Sequence, residues 1–434
     1  MRSIFAGVAC AAALCFAGLA HAQESVTQII HAGRLLADPE SGTVLNEQSI
    51  LIGGDGAIAG VEAGYVGREG AEIIDLSDAF VLPGLIDSHV HLTGELGAGQ
   101  LLDEVTLTTS DAALRAAENA RKTLLAGFTT VADLGAPNDS IFALRRAIAE
   151  GRVPGPRIIA AGSSVTPDGG HGDANGWAPH VLDALRNPNA CSGADACRRA
   201  VRRQVQAGAD VIKITATGGV LSNTAAGVGQ QFTDEELAAI VDAAHAMGRR
   251  VTAHAHGADG INAALRAGVD SIEHGTYLDQ DSIRLMRRSG AYLVPTLEAG
   301  WQVAQMAEQG GILTPAQTEK ARAVGPALVD MAGRARDGRV RIAFGTDTGV
   351  SPHGENGREF SLLIEAGFTP LQAIQFATVA AADHLELNGV AGRIAPGYAA
   401  DIIAVGGDPL SDISQLAQAE NISFVMARGV VEKP

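Results

Sequence analysis

The chain has 434 residues, 46% of them hydrophobic, and a formal net charge of −17. That length exceeds one small domain but suits a large α/β barrel carrying an added module. The acidic balance and the lack of a basic run argue against a nucleic-acid binder, and aromatics at 4% leave little for a stacking groove.

The chain opens "MRSIFAGVACAAALCFAGLAHAQ", with one basic residue, a short apolar stretch and a small-x-small ending at Ala20-His21-Ala22. This pattern predicts a secretory signal over residues 1–22, cleaved before Gln23, and a periplasmic or secreted protein with no membrane anchor after cleavage. Removing it also removes Cys10 and Cys15, leaving Cys191 and Cys197 in "CSGADAC". In an exported chain, two nearby cysteines in a polar loop predict a local disulfide.

The next stretch is strand and turn: "SILIGGDGAIAGVEAG" alternates apolar residues with glycine-rich turns, and a like texture returns in "ADIIAVGGDPL" and "ISFVMARGVVEK". Residues 23–83 and 386–434 are therefore expected to combine into one small β-sandwich domain. Between them, over 84–385, strands and helices alternate. The strands are read in "GLIDSHVHL" (84–92), "FTTVADLG" (128–135), "RIIAAG" (157–162), "VIKITATGG" (211–219), "RVTAHAH" (250–256), "SIEHG" (271–275), "YLVPTL" (292–297) and "RIAFGTDTG" (341–349). Among the helices, "TDEELAAIVDAAHAMG" opens with a Thr233…Glu236 capping box, and "TPLQAIQFATVAAADHLEL" has Pro370 in its first turn. Eight strands alternating with helices predict an α/β (β/α)8 TIM barrel, with a doubly wound sheet as the alternative.

Seven of the twelve histidines fall at or just after these strand ends: His89, His91, His171, His254, His256, His274 and His353. Active sites of such barrels sit at that rim. Residues i and i+2 of a strand share a face, so His89 with His91, and His254 with His256, project together into the mouth. Imidazoles with a carboxylate such as Asp347 make a nitrogen/oxygen set suited to zinc and related divalent ions. Lys213 is the anomaly. It interrupts the apolar run Val211-Ile212-Lys213-Ile214, where a buried ammonium must be paired, deprotonated or chemically changed.

The succession "GLIDSHVHL", "LLAGFTTVADLG", "GPRIIAAG", "GADVIKI", "AHAHG", "SIEHG", "FGTDTG" and "GRIAPGYAADI" resembles the amidohydrolase superfamily over roughly residues 30 to 430. Within it the chain resembles the metal-dependent carboxypeptidase/Xaa-Pro dipeptidase (prolidase-like) branch, which includes ochratoxin-hydrolysing enzymes. The resemblance implies two divalent ions, zinc foremost, with His89, His91 and Asp347 on the first, His254 and His274 on the second, and Lys213 bridging both as a carbamate. Such a carbamate turns a costly buried cation into an anionic two-oxygen ligand. Asp347 would then move protons, and His171 or His256 would help to polarise the scissile carbonyl. His353 is expected either at the substrate or merely on the rim. Where relatives carry a tyrosine before "EEL", this chain has Phe232, which predicts an apolar substrate contact in place of a hydroxyl donor.

These features imply hydrolysis of an amide or peptide bond with release of a C-terminal amino acid, from a dipeptide, an N-acyl amino acid or an ochratoxin-type aromatic amide. The resemblance also implies a homo-oligomer. Two alternatives stand beside it: a cyclic-amide hydrolase of the imidazolonepropionase type, and a non-catalytic exported binding protein. The deaminase relatives carry a His-x-x-Glu after strand five, where this chain has Gly257, and they lack the bridging lysine.

Overall fold

The computed structural model describes residues 25–223 and 227–434. The expected signal segment, with Cys10, Cys15 and His21, lies outside the described residues. No described helix is long and apolar enough to cross a membrane.

Seven strands form one continuous mixed sheet from the two ends of the chain. β1 (Val26–Leu35), β2 (Leu45–Gly53), β3 (Ile58–Ala63) and β4 (Glu72–Pro83) come from the N-terminal side. β4 pairs parallel with β1 and, near its end, antiparallel with the C-terminal strand Ile402–Val405, through Ile402↔Pro83 and Ile403↔Leu82. The last two strands, Ile422–Ala427 and Val430–Lys433, extend the sheet beyond it. Alternating apolar residues such as Ile30, Ile50, Ile52, Val81, Ile402 and Phe424 form this module's own core. The two terminal segments expected to combine into one small β domain share this seven-stranded sheet.

β4 leads directly into β5 (Leu85–Val90) through Gly84, whose N–H donates to the Asp401 carbonyl at 2.8 Å. A Cβ at Gly84 would lie 2.2 Å from the Thr129 hydroxyl, so only glycine lets the two modules approach there. β5 starts the barrel, followed by β6 (Phe128–Asp133) and β7 (Arg157–Ala160) in a three-stranded parallel sheet. A short pair in the next loop, β8 (Thr166–Pro167) and β9 (Ala190–Cys191), stands beside the Cys191–Cys197 disulfide, which forms as expected across a separation of six residues. Then β10 (Ile212–Thr215), β11 (Val251–Ala255), β12 (Ser271–His274), β13 (Tyr292–Val294) and β14 (Arg341–Ile342) make a five-stranded parallel sheet.

The two parallel sheets close on each other. At one seam the Val165 N–H donates to the Lys213 carbonyl at 2.8 Å, and at the other Ser88 N–H meets the Phe344 carbonyl at 2.9 Å. The eight strands predicted for the barrel are therefore its staves, each buried on the inside and covered outside by helices. The Thr233 capping box forms, and its helix runs Asp234–Ala246. The helix beginning at Pro370 continues through one π turn, Phe376–Ala380, and the Phe376 carbonyl there accepts the Phe344 N–H at 3.0 Å. Between β13 and β14 stand two long helices, Leu297–Gln309 and Pro315–Asp337, which wall the barrel mouth.

Candidate metal centre

The C-terminal ends of the strands gather the predicted residues into one cluster. His89 and His91 come from the end of β5, Lys213 from β10, His254 and His256 from the end of β11, His274 from the end of β12, and Asp347 from the loop after β14. His274 (φ 68°) and Asp347 (φ 60°) both take the left-handed backbone conformation, which costs a non-glycine residue roughly 1–2 kcal/mol. Asp347 Oδ1 lies 3.1 Å from His91 Nε2 and 3.4 Å from His89 Nε2. Lys213 Nζ lies 3.2 Å from His89 Nε2. The rings of His254 and His274 have centroids 4.7 Å apart, and His256 stacks on His274 at 4.8 Å. Two overlapping groups, His89/His274/Asp347 and His254/His256/His274, each bring one donor atom per residue within 4.8 Å of the others.

Hydrogen bonds behind the rings decide which nitrogen faces the cavity. His89 Nδ1 meets the buried Glu273 carboxylate at 2.8 Å, and His91 Nδ1 meets the Gly135 carbonyl at 2.9 Å. Both partners accept only, so each Nδ1 carries the proton and each Nε2 presents a lone pair. The Thr296 hydroxyl donates to the Pro295 carbonyl at 2.8 Å, so it accepts from His274 Nδ1 at 2.7 Å, and His274 too is left with Nε2 as an acceptor. His254 Nε2 lies 3.4 Å from the Gly218 carbonyl, which assigns the proton to that side and leaves Nδ1 toward the cluster. Two imidazole nitrogens crowd one carboxylate oxygen at these distances, an arrangement relieved by a proton on His91 Nε2 or by a metal cation between the three groups. The donor set therefore fits a divalent metal, and the outer partners are those that orient metal-binding histidines.

Electrostatics agree. Burial holds the His89, His254 and His274 rings well below the usual imidazole range, so they stay neutral and able to donate lone pairs. Burial also lowers the Lys213 ammonium, and the carboxylates of Glu273, Asp347 and Asp133 only partly oppose it. For Asp347 burial acts upward, but His89, His91 and Lys213 outweigh it and the carboxyl is lowered. His91 alone is raised: burial opposes its charge, and the Asp347 carboxylate prevails.

A cavity of about 340 Å3 stands over the cluster, lined on one side by the histidines and on the other by Ala299, Val303, Val324 and Leu328 from the two long helices. It opens into an outer chamber of about 710 Å3, with Thr93, Glu95, Leu96, Gln100 and His171 on both walls. His171 is placed at the cluster as expected: its ring centroid is 4.3 Å from that of His254, and its Nδ1 bonds Ser222 at 2.5 Å. Burial depresses it to about 4. His256 also faces the cavity, with Nδ1 on the Thr276 hydroxyl at 2.7 Å and a pKa depressed by burial to about 3.

Phe232, expected at the substrate, and His353, expected at the substrate or on the rim, lie outside that cavity. His353 does not line the cavity; its Nε2 bonds the Gly94 carbonyl at 3.0 Å from behind the rim loop, because the turn after β14 directs it to the barrel's outer side. Phe232 is buried in the main core with Leu237. It immediately precedes the helix cap Thr233, the position whose apolar side chain staples onto the first turn, so its ring is used in packing. The sequence reading missed Asp87 and Glu273. The buried Asp87 carboxylate accepts from the His89 and Thr346 backbone N–H groups, each at 3.1 Å, and from Asn356 at 2.8 Å, tying together the strand ends that carry His89 and Asp347. A charged residue inside the short buried strand "SIEH" is the same signal that singled out Lys213.

Known proteins resemble this chain over most of its length. Residues 80–431 match the model of the Amidohydrolase family. Ochratoxinase of Aspergillus niger is 31% identical over 446 aligned residues, covering 96% of this chain and 88% of the fungal enzyme. Among solved structures, a Xaa-Pro dipeptidase with methionine bound in its active site superposes with a TM-score of 0.88 at 39% identity, covering 94% of this chain and all (100%) of that one. A prolidase complexed with N-methylphosphonate-L-proline gives 0.84 at 32% identity, over 93% of this chain and 98% of the other.

Proposed function

The chain belongs to the amidohydrolase family, and from that premise we propose a binuclear metal-dependent hydrolase that cleaves an amide or peptide bond and releases a C-terminal amino acid. One observation carries the reading: His89, His91, Lys213, His254, His274 and Asp347, drawn from five parts of the barrel, converge on a single cavity. His89, His91 and Asp347 would hold one ion, His254 and His274 the other, with Lys213 between them. Zinc suits this set of imidazoles and one carboxylate. Two such ions, when bound, supply Lewis-acid polarisation of the scissile carbonyl and lower the pKa of the attacking water.

The chain's own groups supply the rest. Burial lowers the Lys213 ammonium, which favours the free amine; that amine can add through its lone pair to the carbon of CO2 and lose a proton, forming an anionic carbamate. Asp347, held ionised by its neighbours, takes the proton of the attacking water and passes one to the leaving nitrogen. His256 and His171, packed against His254 at ring separations of 4.7 and 4.3 Å, would face the carbonyl oxygen as it gains charge. The wall of Ala299, Val303, Val324 and Leu328 favours a bulky apolar group beside the scissile bond. Dipeptides, N-acyl amino acids and aromatic amides of the ochratoxin kind meet that description, the last in keeping with the resemblance to the Aspergillus enzyme. The export signature and the Cys191–Cys197 bond support a periplasmic or secreted location.

The test is an assay of zinc-loaded protein against dipeptides ending in Pro, Arg, Phe and Leu, an N-acyl-phenylalanine and a cyclic imidazolone. Release of the C-terminal amino acid, lost in Lys213→Ala and Asp347→Asn, is expected. Turnover of the cyclic compound alone would move the function to ring opening.

A further inference from the structure

Thr296 is β-branched, fully buried and held at φ 49°, ψ 47°, a left-handed conformation that such a residue strongly resists. An outlier of this kind at the rim of a site calls for something that holds it and something it does. What it does is visible in its hydroxyl, which donates to the Pro295 carbonyl and therefore accepts from His274 Nδ1. What holds it lies far along the chain, 62 residues beyond Leu297. The helix Leu297–Gln309 begins immediately after Thr296 and has no side-chain cap at its N-cap residue. Its first two N–H groups, of Leu297 and Glu298, donate instead to the carboxylate of Glu359 at 3.1 and 2.7 Å. Glu359 is fully buried and belongs to the helix Arg358–Glu365, which comes after the loop bearing Asp347.

We propose that Glu359 is a positioning residue of the metal centre, capping the helix at Leu297 so that Thr296 keeps its left-handed turn and orients His274 with Nε2 toward the cavity. Its two carboxyl oxygens satisfy two of the orphan donors of a helix start that no local side chain serves, and these two bonds oppose the burial that raises Glu359 well above the usual carboxylate range. The same helix carries Ala299 and Val303 on the substrate wall, so one carboxylate sets both a ligand's tautomer and the shape of the pocket. The inference rests on reading His274 as a metal ligand.

Its test begins on metal-free, full-length protein labelled with 15N-histidine, where two-bond spectra report each ring's tautomer. Wild-type His274 is expected with its proton on Nδ1. In Glu359→Gln, which keeps only one acceptor oxygen, and in Thr296→Val, which has none, that preference is lost. Zinc affinity by chelator competition falls about 10–100-fold in both, while Thr296→Ser retains the wild-type tautomer and affinity. Should Glu359→Gln fail to fold, the wild-type amides of Leu297 and Glu298 decide: slow hydrogen exchange supports the cap, and exchange at the rate of free amides overturns it. An unchanged His274 tautomer in folded Glu359→Gln also overturns it. A tautomer shift in a protein that binds no zinc upholds the positioning and overturns the metal reading instead.

Discussion

Replacing Glu273 by glutamine changes one charge and almost no volume, yet it reverses a hydrogen bond directly behind the metal centre. Glu273 Oε1 accepts from the Thr252 hydroxyl and lies 3.0 Å from Ser271 Oγ, while Oε2 meets His89 Nδ1 at 2.8 Å. A glutamine must place its carbonyl oxygen where the Thr252 hydroxyl donates, which turns its NH2 toward His89. Two donors then face each other, so His89 gives up the Nδ1 proton and carries it on Nε2. That proton points at Lys213 and Asp347 and occupies the lone pair a metal would use. Loss of such an outer partner typically weakens metal binding about 10–100-fold, or about 1.4–2.8 kcal/mol. The side chains involved are almost wholly buried, so solvent does not compensate. Chelator competition on wild type and Glu273→Gln measures the affinity, and histidine 15N spectra of the metal-free proteins report the tautomer. Zinc affinity within twofold of wild type, with Nδ1 of His89 still protonated in the variant, would refute the reasoning.

The same geometry sets the response to other perturbations. Burial depresses His384 from 6.5 to about 4, so the neutral ring is the native one. Its contribution is present above pH 6.5 and is lost as pH falls toward 4, by on the order of 3 kcal/mol. Urea midpoints at pH 7.5 and pH 4.5 should therefore fall less for His384→Phe than for wild type; parallel falls would contradict this. Val303→Phe, filling the apolar wall, should cut kcat/KM for an aromatic amide about tenfold or more relative to an alanyl substrate, as measured in competition assays. Removing the disulfide in Cys191→Ala/Cys197→Ala should cost about 2 kcal/mol in denaturant unfolding through the short loop it closes, with the metal content unchanged.

Much of the barrel could be read from the chain because each stave is a short apolar run ending in polar residues of marked chemistry. "GLIDSHVHL" and "RVTAHAH" declare both a strand and the face that its histidines share. Lys213 stood out because its neighbours on either side are apolar. What could not be read is pairing across long separations. His89 and Glu273 lie 184 residues apart, and nothing in "SIEHG" says that the glutamate will lie behind that ring. The terminal strands were recognisable, but their union into one sheet depends on Ile402 meeting Pro83. The directions of Phe232 and His353 are unreadable for a related reason. Position in a loop near the rim does not fix direction: one side chain staples a helix and the other binds a backbone carbonyl behind the mouth. Thr296 is ordinary in sequence and gains its role only from a backbone angle that no local pattern announces.

The proposed function requires this cluster to hold two ions with a modified Lys213 between them. The most direct measurement is anomalous diffraction at the zinc edge from crystals of the zinc-loaded chain. Two peaks are expected, one against His89, His91 and Asp347 and one against His254 and His274, with carbamate density continuous from Lys213 Nζ. A single peak, no peak at the cluster, or an unmodified Lys213 beside two ions would contradict it.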